Sequence, residues 1–157
     1  MLHTLRGLIG DVDFLRATRE LVYGTDTPRP GNFKPRYAAT RDFVAIVNRI
    51  TGKDYGWFFD VYLRSVKLPA LQASRSGNTL QLRWVTEGDK PFPMPVQVRV
   101  GQRVLEVPMT GGQGQVAMTG DESYTLDPHS KVLRDLPYMA DYQKDMAERA
   151  KVMARKP

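Results

Sequence analysis

The sequence predicts a multidomain α+β chain: a small helical segment over residues 1–68, an immunoglobulin-like antiparallel β-sandwich over 69–136, and a C-terminal helix over 137–157. Three observations predict it. Apolar residues recur at helical spacing as far as residue 68, alternate one by one from there to 136, and return to helical spacing after Pro137.

In the first zone Leu2, Leu5, Leu8 and Ile9 form one stripe, closed by Gly10, which can take the left-handed conformation that follows a helix end. Asp11 is placed to cap a second helix with Phe14, Ala17, Leu21 and Val22 on its inner face and Gly24 at its end. Residues 25–38, "TDTPRPGNFKPRYA", carry three prolines and a glycine and read as a loop. Thr40 then caps a third helix, with Asp42 in the first turn where the helix dipole favours a carboxylate. Phe43, Ile46, Val47 and Ile50 recur along it, and Gly52 ends it. Asp54 caps a fourth helix, "YGWFFDVYL", which is apolar on more than one side: Phe58, Val61 and Tyr62 share a face while Trp57 and Phe59 point elsewhere. A surface helix shows one stripe, so this helix needs neighbours on several sides, and the helical zone looks too small to supply them.

From residue 69 the period is two. Leu80, Leu82 and Trp84 alternate with Gln81 and Arg83; Val96, Val98 and Val100 with Gln97 and Arg99; Leu105, Val107 and Met109 are in phase, as are Val116 and Met118, then Tyr124 and Leu126. Strict alternation means sheets covered on one face. Gly77-Asn78, Gly101-Gln102, Gly111-Gly112 and Gly120-Asp121 punctuate the run, and about seven short strands with such turns suggest a small sandwich. In the last zone Pro137 suits a first turn, and Met139, Tyr142, Met146, Ala150 and Met153 form a stripe that ends on Arg155 and Lys156.

Composition narrows the function classes. With no cysteine among 157 residues, a disulfide framework, thiolate metal sites and a cysteine nucleophile are excluded. No apolar run approaches the ~20 residues of a membrane span. The net charge of +6 is spread thinly, with 11 Lys and Arg against 7 Asp and Glu in residues 1–68, 7 against 7 in 69–136 and 5 against 3 in 137–157, so no basic run interleaved with aromatics marks a nucleic-acid platform.

No residue stands out as chemical machinery. The only histidines, His3 and His129, are far apart and belong to no H-E-x-x-H; they read as a polar helix residue and an exposed turn residue. Asp11 and Asp13 resemble the start of a calcium loop that Leu15 and Thr18 do not continue. There is no G-x-S-x-G, the pair Asp121-Glu122 sits in a turn, and "TGGQGQ" reads as a hairpin tip. The aromatic run Trp57, Phe58, Phe59 and Tyr62 reads as core. No catalytic, cofactor-binding or metal-ligating residue is therefore expected in this chain.

Two segments nevertheless resemble a known family. "MLHTLRGLIGDVDFLRATRELV" is similar to the helix pair that follows the zinc glutamate and catalytic tyrosine of gluzincin zinc aminopeptidases of the M1 type, the relatives of aminopeptidase N and leukotriene A4 hydrolase, through Leu2-His3-Thr4-Leu5-Arg6, Gly10 and Phe14. "TRDFVAIVNRITGKDYGWFFDVYLRSVKLPAL" resembles that family's T-x-x-D-F…G-x-D-L-x-x-F-F-x-x-W-L…G-x-P series through Thr40, Asp42, Phe43, Gly52, Asp54, Phe58, Phe59, Leu63 and Pro69, with Asp42 one position closer to the threonine than in some members. Tyr62 departs from the usual tryptophan, and Lys67-Leu68 stands where glycine is common.

The resemblance implies that residues 1–68 are the helical end of a metallopeptidase catalytic domain and that 69–136 are the sandwich that follows it. The family's zinc ligands, general-base glutamate and catalytic tyrosine fall on no residue here. The expectation is a C-terminal piece of a longer peptide-cleaving enzyme, periplasmic or cytoplasmic, inactive alone, with zinc only in the full-length parent. Its first partner would be the rest of the same polypeptide; neither nucleic acid nor a membrane span is expected. The absence of a Ser, Thr, Asp or Asn before Leu2 fits a truncated piece. An apolar patch around Leu2, Leu5, Trp57 or Phe59 is expected where neighbours are missing, and with it a possible homo-oligomer. The alternative is a stand-alone β-sandwich that binds carbohydrate or protein.

Overall fold

A computed structural model describes residues 1–32 and 37–136, together with positions 138, 142 and 146. Four α-helices, α1 (Leu2–Ile9), α2 (Asp11–Tyr23), α3 (Thr40–Thr51) and α4 (Gly56–Leu63), precede six strands: β1 (Ala70–Ser76), β2 (Thr79–Val85), β3 (Val96–Val100), β4 (Arg103–Val107), β5 (Gln113–Ala117) and β6 (Tyr124–Leu126). The chain is α+β, with two three-stranded antiparallel sheets in the orders β1-β2-β5 and β4-β3-β6 and no closed barrel. Of the expected C-terminal helix, Tyr138, Tyr142 and Met146 are helical and exposed. Met139, Ala150 and Met153 lie outside the described residues.

The helix ends follow the chain's punctuation with local corrections. Gly24 and Gly52 take the left-handed conformation and stop α2 and α3. Gly10 does not: at φ 84 and ψ 162 it is extended in a region open to glycine, and it serves both as the last cap of α1 and the first cap of α2. Asp11 is thus the first residue of α2 rather than its cap, and its carboxylate takes two 2.8 Å hydrogen bonds from the Arg6 guanidinium across that corner. Likewise Ala39, not Thr40, is the cap of α3; Asp42 reaches back to accept the Ala39 N–H at 2.7 Å, which is the half of a capping box that an alanine leaves possible.

Hairpin register follows from the turns. Ser76 pairs with Thr79 around Gly77-Asn78, and Val100 with Arg103 around Gly101-Gln102. Only the glycine of each pair has positive φ, which is the II′ pattern that matches strand twist. Six strands are described where the turn spacing predicts about seven. Between β2 and β3 the chain instead makes a short 3-10 turn, Glu87–Asp89, and an extended run through Pro91, Pro93 and Pro95, whose missing N–H groups deny it a ladder.

The alternating residues point where their period requires. Leu80, Leu82, Trp84, Val96, Val98, Val100, Val107 and Val116 come from both sheets, with Met109 and Met118 from the segments just after β4 and β5, into one buried cluster. A second cluster joins Leu5, Ala17, Phe43, Ile46, Val47, Tyr55, Phe58 and Phe59 of the helices. The two meet at α4: Phe58 and Phe59 belong to the helical cluster, Val61 to that of the sheets, and Trp57 and Tyr62 pack against both. This corrects the expectation that α4 lacks cover. Its extra apolar sides are enclosed by the sheets, which the helical period alone does not reveal. Leu5 and Phe59, expected in an exposed patch, are buried, and Trp57 is half-buried; of that set only Leu2 is open to solvent. Val22, expected on the inner face of α2, is exposed.

Candidate functional site: the seam around α4

The seam begins with the turn that launches α4. The Asn48 side chain donates to Asp54 Oδ1 at 2.9 Å and accepts the Tyr55 N–H at 2.9 Å, while Asp54 Oδ1 also accepts the Gly56 N–H at 2.8 Å. Asp54 therefore serves the first turn of α4 as the sequence predicts, although Tyr55 is the formal cap. The other end of α4 is closed by a cation. Lys90 Nζ donates to the Arg64 carbonyl at 2.9 Å and to Ser65 Oγ at 2.7 Å, with Asp60 O at 3.4 Å, where the helix dipole favours positive charge.

Between these ends runs a continuous series of rings. Phe43 meets Phe59 edge-on at 5.8 Å, Phe59 meets Phe58 at 5.4 Å, and Phe58 meets Trp57 at 5.9 Å and Tyr62 at 4.7 Å. Trp57 and Tyr62 then both touch Phe92, at 5.5 and 5.7 Å, and Phe92 stands edge-on to Trp84 at 5.2 Å. Most of these contacts have the crossed geometry that aromatic quadrupoles prefer. Phe92 is the keystone of the series, 1% exposed, carried on the proline-rich run that also accepts the buried Trp84 indole N–H through the Met94 carbonyl at 2.8 Å.

A polar fastening lies beside the rings. Leu133 is held at both backbone groups: its N–H donates to Thr4 Oγ1 of α1 at 2.9 Å, and its carbonyl accepts from the Tyr62 hydroxyl of α4 at 2.6 Å. Burial pushes the Tyr62 phenol well above its usual range; the Thr4 hydroxyl acts against this and the nearby Asp127 carboxylate adds to it. Asp127 is itself buried and accepts the N–H groups of Lys131 and Val132 at 2.9 Å each, so its charge is satisfied by backbone donors. A cavity of about 60 Å³ adjoins this corner, lined by Thr4, Leu8, Met94, Gln97, Glu106 and Lys131 among others.

The residues weighed as chemical candidates are scattered. His3 is exposed on α1, and His129 is an exposed turn residue whose Nδ1 lies 2.9 Å from Gln97 Oε1. Asp11 is engaged by Arg6, which holds its carboxyl below the usual range. Glu122 accepts the Thr119 N–H and hydroxyl at 2.8 Å each and faces Arg103; those bonds hold its carboxyl low and make it a turn clasp. In "TGGQGQ", Thr110 bridges to Gln113 around two positive-φ glycines, the expected hairpin tip. Among the described residues no three His, Asp or Glu side chains group to hold a metal, so the donor set of a zinc site is not found in them. No helix among them is long and apolar enough to cross a membrane. What the seam does chemically is fasten: it joins helices to sheets through rings, one lysine and two hydroxyls. Phe92, Lys90, Thr4 and Asp127 are not singled out by the sequence. The prolines flanking Phe92 were the available sign that its ring is held rigidly.

No protein-family model matches the chain, and no curated protein matches it. Solved structures similar to it include Legionella pneumophila aminopeptidase A in complex with aspartic acid, with a TM-score of 0.56 and 15% identity over 87% of this chain. The chain spans 17% of the length of that aminopeptidase. At this identity the likeness is one of fold: the helices and sheets described here form an aminopeptidase-like arrangement.

Proposed function

We propose that the chain is the non-catalytic C-terminal part of a zinc-dependent aminopeptidase of the M1 type. In this reading residues 1–68 close the helical wall of the catalytic domain, and residues 69–136 form an immunoglobulin-like sandwich that braces it. The observation that carries the reading is the agreement of two independent signals: the Thr40-to-Pro69 residue series resembles the gluzincin aminopeptidases, and the fold over 87% of the chain resembles part of a solved aminopeptidase. The seam supports it physically. The matched positions Gly52, Asp54, Phe58 and Phe59 are those that stop α3, start α4 and fill the helical core, so the resemblance rests on residues with structural work to do.

The parent's zinc would polarise a peptide carbonyl and lower the pKa of a bound water, with ligands and general base supplied from outside this chain. No step of that chemistry is assigned to residues described here. The coding sequence upstream and in frame tests the reading: it should encode H-E-x-x-H followed by a tyrosine-bearing segment before Met1. A reading frame that closes immediately upstream would remove it.

A further inference from the structure

We propose that the cleft between β1 and β6 receives an extended acidic peptide segment, which adds a strand to the open edge of β1 and sets one Asp or Glu carboxylate against Arg134. This goes beyond the aminopeptidase reading and does not depend on it. β1 ends one sheet and β6 ends the other. The cleft between them has a volume of about 490 Å³ and is lined by Ala70, Leu71, Tyr124, Leu126, Arg134 and Leu136 among others.

The strand pairing shows which backbone groups face the cleft. In an antiparallel pair alternate residues turn their N–H and C=O towards the partner, and the rest turn them away. The Trp84 N–H donates to the Gly112 carbonyl on the β5 side at 2.8 Å, so Trp84, Leu82 and Leu80 turn away from β1. Their partners Leu71, Ala73 and Arg75 therefore point their backbone groups out of the sheet. Pro69 is in the same phase, and its carbonyl shows that this edge takes a strand. It accepts the Asp135 N–H at 2.9 Å, where residue 135 runs parallel to β1 beside Ala70. Beyond that single rung, the outward groups of Leu71 and Ala73 have no backbone partner among the described residues. Open edges of this kind bind extended peptides through main-chain hydrogen bonds, with side chains supplying the selectivity.

The charge of the guest follows from Arg134. Its Nη2 donates to the Leu126 carbonyl of β6 at 3.4 Å, and its Nε is buried with no acceptor among the described residues. The Nε–Nη2 side of a guanidinium grips a carboxylate with two parallel bonds, and here it holds one long bond. A buried N–H without an acceptor is costly, and a carboxylate entering the cleft satisfies it. Arg75, at the far end of β1, is engaged with the Gly120 and Glu122 carbonyls, so the vacant donor belongs to Arg134. Asp135 is exposed beside it and leaves that Nε unpaired.

Amide NMR of the intact 157-residue chain tests the proposal. The probes are terminally blocked heptapeptides of alternating threonine and valine, with one glutamate placed at each position in turn, and the same set with glutamine. Saturable shifts are expected at the Leu71 and Ala73 amides and at the Arg134 Nε–H. The best glutamate peptide should bind about five- to tenfold tighter than its glutamine counterpart. R134Q should erase that preference. A73P should abolish binding of both sets while the other amides stay dispersed, because the Ala73 N–H takes no part in the β1–β2 ladder and an edge strand tolerates proline. No shift with any peptide at about 1 mM overturns the proposal, as does equal affinity for glutamate and glutamine peptides. Without peptide, shifts at Leu71 and Ala73 that grow with protein concentration overturn it in favour of a second copy. An Ala73 amide already slow to exchange at every concentration overturns it in favour of residues 137–157 of this chain.

Discussion

At the scale of single residues, Gly114 in β5 is a glycine held by close packing. A Cβ added there would lie 2.7 Å from Met109 Sδ, 2.8 Å from the Pro108 carbonyl and 2.9 Å from Val107 Cγ1, because the segment that crosses from one sheet to the other passes directly over it. G114A should cost roughly 1–3 kcal/mol, read as a lowered denaturant midpoint, since two of those neighbours are backbone or a β-branched side chain. Gly77, with open space around it, owes its identity to its positive φ instead. Tyr62 makes a pH prediction. Its phenol is raised by burial, so the folded state holds a proton that the unfolded state releases near pH 10. The stability it contributes is fully present below about pH 10 and is lost as pH rises toward the folded value. Y62F should therefore be less stable at neutral pH, because the Leu133 carbonyl loses its donor, and should show a shallower alkaline loss than the parent chain in urea titrations between neutral and strongly alkaline pH. An unchanged alkaline slope would mean that Tyr62 titrates as a free tyrosine.

At the scale of elements, α4 is the part on which the two cores depend. Eight residues make a helix too short to persist alone, so its form comes from its ends and its packing. D54A removes the acceptor that serves Gly56 and the anchor of Asn48, and should cost about 1 kcal/mol. K90M leaves the final carbonyls of α4 without their cation and should cost about 1–2 kcal/mol. F92A empties the junction of the ring series and should cost about 3–5 kcal/mol, the largest of the three, with cooperativity between helices and sheets reduced in thermal melts. This element also shows what was legible and what was not. The glycine stops, the Asp54 start and the period-two strands could be read directly, because each is a local rule of backbone conformation. That α4 is greasy on several sides was equally legible. What covers it was not, since Phe92 approaches from some 30 residues away on a segment without periodicity. The cap of α3 lies one residue before Thr40 for a related reason: Asp42 reaches back to accept the Ala39 N–H and fixes the start of the helix there, although Ala39 has no side-chain acceptor of its own.

At the scale of the whole molecule, the sheets and helices share one continuous interior through Trp57, Tyr62 and Phe92, and the strap around Leu133 ties the far end of the β segment back to α1. Contacts of this kind, between Thr4 and Leu133, leave no mark in local sequence pattern. The expectation that this chain carries no metal or nucleophile site was argued from the residues, because such sites need His, Cys or carboxylates that the sequence has few of or spaces wrongly. The central claim, that the chain supports an aminopeptidase whose reactive half lies elsewhere in the same polypeptide, is tested most directly by comparing zinc content and aminoacyl-arylamide turnover of the 157-residue chain with those of the full in-frame polypeptide. The account predicts bound zinc and hydrolysis for the full polypeptide and neither for the chain alone; turnover by the isolated chain with stoichiometric zinc, or a full polypeptide that binds none, would contradict it.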